Sequence, residues 1–207
     1  MRALFTGVLW GVLALGATLQ CSTFMPGPGE TVTLSVVGAP AGAAFRWDLD
    51  GDGRFELSSR EPHATLSVAA GPRLVRVEVV SGGRAELLTA LIVAHPHLGA
   101  VRTLTLEGTT LLVQVAVQSK VPVIAPGFVE EIPKGFALEV VAEGGAFWRR
   151  AEKLEVLWPL ILEPGMRLEF AYRLHPLAGT PFQLSGVVSG YVEGRRVEVP
   201  IAGFFQP

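Results

Sequence analysis

The chain has 207 residues, room for one large domain or two small ones and far more than a disulfide-stapled peptide needs. Hydrophobic residues make up 49% and charged residues 17%, which excludes a disordered chain and supplies a sizeable core. A net charge of −2 and a pI near 6.1 argue against nucleic acid as a partner.

In chain order, the first element is a leader. Arg2 is followed by seventeen uncharged residues, Ala3 to Leu19, with small residues at Ala14, Gly16 and Ala17 near the end. A basic start, an apolar stretch and a small-residue end predict a secretory signal over residues 1–21, placing the protein in the cell envelope or outside the cell. The stretch is slightly short for a spanning helix, so a retained anchor is the second choice. Cys21 follows at once and is the only cysteine, so no internal disulfide can form. Its position is similar to the lipid-attachment cysteine of bacterial lipoproteins, although Gln20 stands where that pattern wants a small residue. An incidental cysteine is the plainer alternative. Contact with a membrane is expected only through this segment or a lipid on Cys21.

Beyond the leader the periodicity is two. Val32, Leu34 and Val36 alternate with Thr and Ser, Phe45 and Trp47 flank Arg46, and Val75, Val77 and Val79 flank Arg76 and Glu78. Leu87 to Val93 is nearly continuous in apolar residues, as a central strand is. His95-Pro96-His97-Leu98-Gly99 is a break with proline and glycine and predicts a linker over 95–99. Alternation then resumes at Val113–Val117, Leu154–Trp158, Leu168–Leu174 and Val197–Ile201. Short strands between turn signals, with no helical period, predict an all-β chain: two tandem immunoglobulin-like β-sandwiches over 26–94 and 100–207.

The aspartates are concentrated. Glutamate outnumbers aspartate 16 to 3, yet Asp48, Asp50 and Asp52 lie within five residues. With Gly53 and Glu56 they place oxygen donors at positions 1, 3, 5 and 9 and glycine at 6, spacing that wraps Ca²⁺ in short loops. The Arg54 peptide carbonyl is a further candidate ligand, and Ser59 stands where a helix-loop-helix calcium site carries glutamate. A bare Asp/Gly hairpin turn is the alternative. Arginine outnumbers lysine 14 to 3 and asparagine is absent, a bias that fits a thermophile or a GC-rich genome.

Phe45-Arg46-Trp47-Asp48-Leu49-Asp50-Gly51-Asp52-Gly53, then Pro62-His63, Ala70-Gly71 and the Val75-Val77-Val79 strand, resembles the PKD (polycystic kidney disease) domain. That resemblance implies an immunoglobulin-like surface module with Trp47 in its core. Phe128 to Phe136, Gly144-Gly145, Trp158, Pro164-Gly165 and Leu168 to Tyr172 resemble bacterial surface-repeat immunoglobulin-like sandwiches, which implies a wall or spacer module and no chemistry.

Catalytic patterns are missing from the sequence. No Gly-x-Ser-x-Gly and no phosphate loop occurs, and Glu130 and Glu131 point to opposite strand faces by the period-two rule. Trp148, Arg149 and Arg150 are the candidate surface contacts; the alternative is a short strand with Trp148 buried and the arginines snorkelling. The expectation is a non-enzymatic exported module for adhesion or surface-complex assembly, with envelope proteins or glycans as partners. A carbohydrate-binding protein is the alternative, and an exposed row of aromatics on a sandwich face would favour it.

Overall fold

A computed structural model describes residues 16–176 and 184–205, and every regular element among them is a β-strand or lies in a turn between strands. β-Branched and aromatic residues at alternate positions suit a pleated surface with one face buried, and neighbouring strands within each of the two units below pair antiparallel. The described residues form two units: 16–96 together with 202–205, and 97–176 together with 184–201. The greater part of the expected signal, residues 1–15, lies outside the described residues.

The first unit packs two sheets. One holds β1 (Thr18–Cys21), β2 (Thr31–Val37) and β5 (His63–Ser67), with β2 in the centre. The other runs β18 (Ala202–Phe205), β7 (Arg84–Ala94), β6 (Gly71–Ser81), β3 (Ala44–Asp48), β4 (Leu57–Ser59). Val32, Leu34 and Val36 face Val75, Val77 and Val79 across a core in which Trp47 is fully buried. Removing a tryptophan ring from water stabilises by about 4–6 kcal/mol before entropy and strain are subtracted.

Three boundaries differ from the sequence expectation. The first sandwich begins at β1, not near Pro26: Thr18 pairs with Val37 and Cys21 with Leu34, while Ala17 and Leu19 sit in the core at 5% and 3% exposure. The carboxyl-terminal strand, expected in the second sandwich, pairs with β7 of the first, Gly203 opposite Leu91. The linker is also shorter than 95–99, because the strand β8 (Leu98–Glu107) already starts at Leu98.

In the second unit one sheet is ordered β11 (Phe136–Ala142), β15 (Arg167–Pro176), β9 (Thr110–Ser119), β8 (Leu98–Glu107). The other is ordered β12 (Phe147–Arg150), β13 (Lys153–Leu157), β10 (Val123–Glu131), β16 (Ser185–Val192), β17 (Arg195–Pro200), with β14 (Ile161–Leu162) also on β10. Phe128 holds the aromatic core together, its centroid 6.0 Å from Trp158 and 5.7 Å from Phe170, the latter edge-on. Each unit is a two-sheet sandwich of immunoglobulin-like, all-β architecture.

Candidate functional site

The aspartate loop leaves β3 at Asp48 and returns at β4. Asp48 is fully buried and organises the turn: Oδ1 accepts from the Gly51 amide at 2.6 Å and Oδ2 from the Gly53 amide at 3.0 Å. Arg76 on the neighbouring strand donates to the same Oδ2 at 3.1 Å. Asp50 accepts from the Asp52 amide, Asp52 from the Arg54 amide, and Glu56 reaches back to the Leu49 amide at 2.8 Å. Aspartate suits this work because its short carboxylate reaches amides two or three residues on, where glutamate overshoots.

Gly51 is required twice over. Its φ is +79°, and a Cβ there would stand 2.9 Å from Leu74 Cβ. One oxygen each from Asp48, Asp50, Asp52 and Glu56 comes within 4.8 Å of the others, so the cluster can hold a metal ion. Arg76 supplies a single positive charge beside four carboxylates, and like charges this close repel unless a cation offsets them. Arg54 contributes its amide to the turn, while its side chain belongs to no contact in the cluster.

The Phe147–Arg150 stretch is a strand, as one sequence reading had it, but its aromatics are not buried. Phe147 is 70% exposed and Trp148 41%, the latter donating Nε1–H to Glu143 at 2.8 Å. Arg149 is tied to Glu155 at 2.7 Å and Arg150 donates to the Phe136 carbonyl. β12 forms the edge of its sheet, and strand register carries Phe147 onto Leu157, Gly127 and Ser189 in one outward row. A neighbouring outward row is Ile161, Ile124 and Tyr191. The face therefore exposes Phe147, Leu157, Ile124, Ile161 and Tyr191 together, and a cleft of about 420 Å³ opens over Gly127. The sequence singles out the stretch with Trp148, Arg149 and Arg150 but not Tyr191, whose strand is its neighbour only in space.

A second missed constellation lies inside the same sandwich. Glu130 is fully buried, ion-paired to Arg102 of β8 and hydrogen-bonded by the Tyr172 hydroxyl of β15 at 2.6 Å. Arg102 also donates to the Leu184 carbonyl at 3.3 Å. Glu130 and Glu131 do point to opposite faces, the first inward and the second exposed. Burial raises the Glu130 carboxyl above its ordinary range, outweighing the attraction of Arg102 and the two hydrogen bonds. Burial also pushes the Tyr172 phenol well above 10, with the Glu130 charge and hydrogen bond adding to it.

A phenol whose pKa is higher folded than unfolded contributes stability that is complete below about pH 10 and lost as pH rises through the folded value. Melting temperature should therefore fall above pH 10, and Tyr172→Phe should flatten that decline. Equal alkaline slopes in both proteins would show that Tyr172 does not govern it.

Cys21 is half-buried at the end of β1, its thiol donating to the Thr23 carbonyl at 2.9 Å. Burial raises its pKa, so the thiolate is disfavoured.

No protein-family model matches the chain, and no curated protein matches it. Among solved structures it is similar to the full-length major pilin SpaD of Corynebacterium diphtheriae, at 10% identity and TM-score 0.41 over 78% of this chain and 59% of the pilin. It is similar to chitinase ChiA74 of Bacillus thuringiensis at 9% identity and TM-score 0.35, over 83% of this chain and 28% of the chitinase. Fibronectin(III)-like modules of Clostridium thermocellum CbhA align at 11% identity and TM-score 0.31, over 91% and 94% of the two chains. The chain spans less than two thirds of the pilin and of the chitinase.

Proposed function

We propose that this chain is an exported, non-enzymatic binding and structural module of the cell envelope, with a PKD-like first sandwich steadied by Ca²⁺. The observation that carries the reading is the junction at Gly16–Thr18. A small-residue end lies just before β1, the first strand of the core, so a cut after Gly16 leaves every strand of the sandwich whole. Ala14-Leu15-Gly16 offers small residues at the first and third places before such a cut, leaving Ala17 as the first residue of the mature chain.

The same strand argues against a lipid on Cys21. Lipoprotein processing cuts just before the cysteine and would remove Thr18, Leu19 and Gln20, three of the four residues of β1. Leu19 would leave the core with them, and deleting a buried leucine side chain alone costs about 2–5 kcal/mol.

Calcium suits the loop by its donors: Ca²⁺ takes about six to eight oxygen ligands in flexible geometry, carboxylates among them. The carboxylate oxygens of Asp48, Asp50, Asp52 and Glu56 fall within 4.8 Å of one another. With Asp48 buried at the end of β3, an ion there steadies the turn and performs no chemistry. The exposed apolar face of β10, β12, β13 and β16 supports the binding half of the reading, because large apolar patches on secreted domains mark contact surfaces. Fractionating the native host tests the reading: the protein should appear in the envelope or the medium, and a wholly cytoplasmic protein would refute it.

A further inference from the structure

The outward face of the β12-β13-β10-β16-β17 sheet has a chemistry of its own. Its floor is flat because Gly127 cannot carry a side chain: a Cβ there would lie 2.5 Å from the Val156 carbonyl oxygen. Ser189, its neighbour on β16, adds only a hydroxyl. Phe147 rises at one side, 70% exposed, and Tyr191 at the other, 45% exposed. Three inter-strand steps separate them, about 14 Å across the sheet, with an offset of two residues, about 7 Å along it.

The charges on this face are paired. Arg149 meets Glu155 at 2.7 Å, Lys153 meets Glu131 at 3.1 Å, and Arg196 meets Glu198 at 2.7 Å. Three cations against three carboxylates leave the face with no net formal charge. A nucleic acid, an acidic polysaccharide or a charged peptide would have to break these pairs to gain a partner. The core of a protein interface is depleted in charged residues, whereas here the ion pairs share rows with the aromatics. A neutral chain of sugar rings fits both features. Its C–H faces stack on aromatic rings, and its hydroxyls donate to carboxylates and accept from guanidinium groups without displacing either.

We propose that this face binds a neutral polysaccharide, with sugar rings stacked on Phe147 and Tyr191 across the Gly127–Ser189 floor and oriented by Arg149 and Glu155. The inference rests on the binding-module reading and names its ligand class. A cleft of about 420 Å³ lined by Phe147, Gly127, Arg149, Glu155 and Ser189 takes the part of the chain beside Phe147, and Tyr191 lies beyond it on the same face.

Depletion assays with the full chain on amorphous cellulose and on chitin test this, with immobilised heparin as the anionic comparison. The protein should be retained on at least one neutral polymer and pass over heparin. Phe147→Ala and Tyr191→Ala should each weaken that retention about tenfold or more while leaving the melting temperature unchanged. Both side chains are exposed, so neither change should disturb folding. Passage over both neutral polymers, retention undiminished in the double variant, or preference for heparin would each overturn the proposal. So would a concentration-dependent dimer that the same substitutions abolish, which would give the face to a second copy of the chain. Any of these in a protein found in the envelope defeats this inference and leaves the broader reading intact; a cytoplasmic location defeats the broader reading instead.

Discussion

Glu130→Ala should cost the second sandwich about 3–5 kcal/mol at neutral pH, the usual loss when one member of a buried ion pair is removed. The change leaves the Arg102 guanidinium buried at 4% exposure without its counter-charge, and strips the Tyr172 hydroxyl of its acceptor. For a domain of about a hundred residues each kcal/mol moves the midpoint by roughly 4–8 °C, so the melting temperature should fall by roughly 10 °C or more. Replacing the group as a unit, with Arg102→Met, Glu130→Leu and Tyr172→Phe together, should recover most of the loss, because well-packed apolar residues often match or exceed a buried pair. Differential scanning calorimetry of the parent and the two variants decides the matter. A Glu130→Ala midpoint within a degree or two of the parent would mean that the pair contributes nothing to the fold.

Calcium should raise the stability of the first sandwich. An ion that binds the folded loop and not the unfolded chain adds RT ln(1 + [L]/Kd), about 2.7 kcal/mol at a hundredfold excess over Kd. Mg²⁺ should give a much smaller rise, because it demands near-octahedral geometry and dehydrates reluctantly. Asp50→Ala with Asp52→Ala should remove the calcium response and leave the Trp47 core folded, since both aspartates are outside that core. Asp48 is the wrong residue for this test: it is buried and holds the Gly51 and Gly53 amides, so its loss would disturb the turn itself. Superimposable melts in calcium and in chelator would show that the loop is only a turn.

Much of this architecture could be read from the residues because strand periodicity is local. Val32, Leu34 and Val36 announce their buried face within five positions, and Glu130 and Glu131 fall on opposite faces for the same reason. The aspartate loop was legible too, since all its carboxylates come from one turn of chain. β1 was hidden because its four residues, Thr18 to Cys21, directly abut the apolar leader and are too few to show alternation by themselves, which invites reading the whole stretch as leader. β18 was misplaced because its partner, β7, lies more than a hundred residues earlier.

The sites that escaped are those assembled across strands. Phe147 and Tyr191 share a face only because β12, β13, β10 and β16 are neighbours in that order, which no spacing encodes. Arg102, Glu130 and Tyr172 converge from three strands of two sheets. One signal was available: Glu130 shares strand parity with Phe128, a charge on the face that carries the core aromatic. Such a charge calls for a buried partner.

The intact mass of the protein isolated from the envelope fraction or medium of its native host addresses the central claim most directly. The account predicts a chain beginning at Ala17, with β1 whole and no acyl mass on Cys21. A chain beginning at Cys21 with an added lipid, or a full-length chain from Met1 recovered only from the cytoplasm, would contradict it.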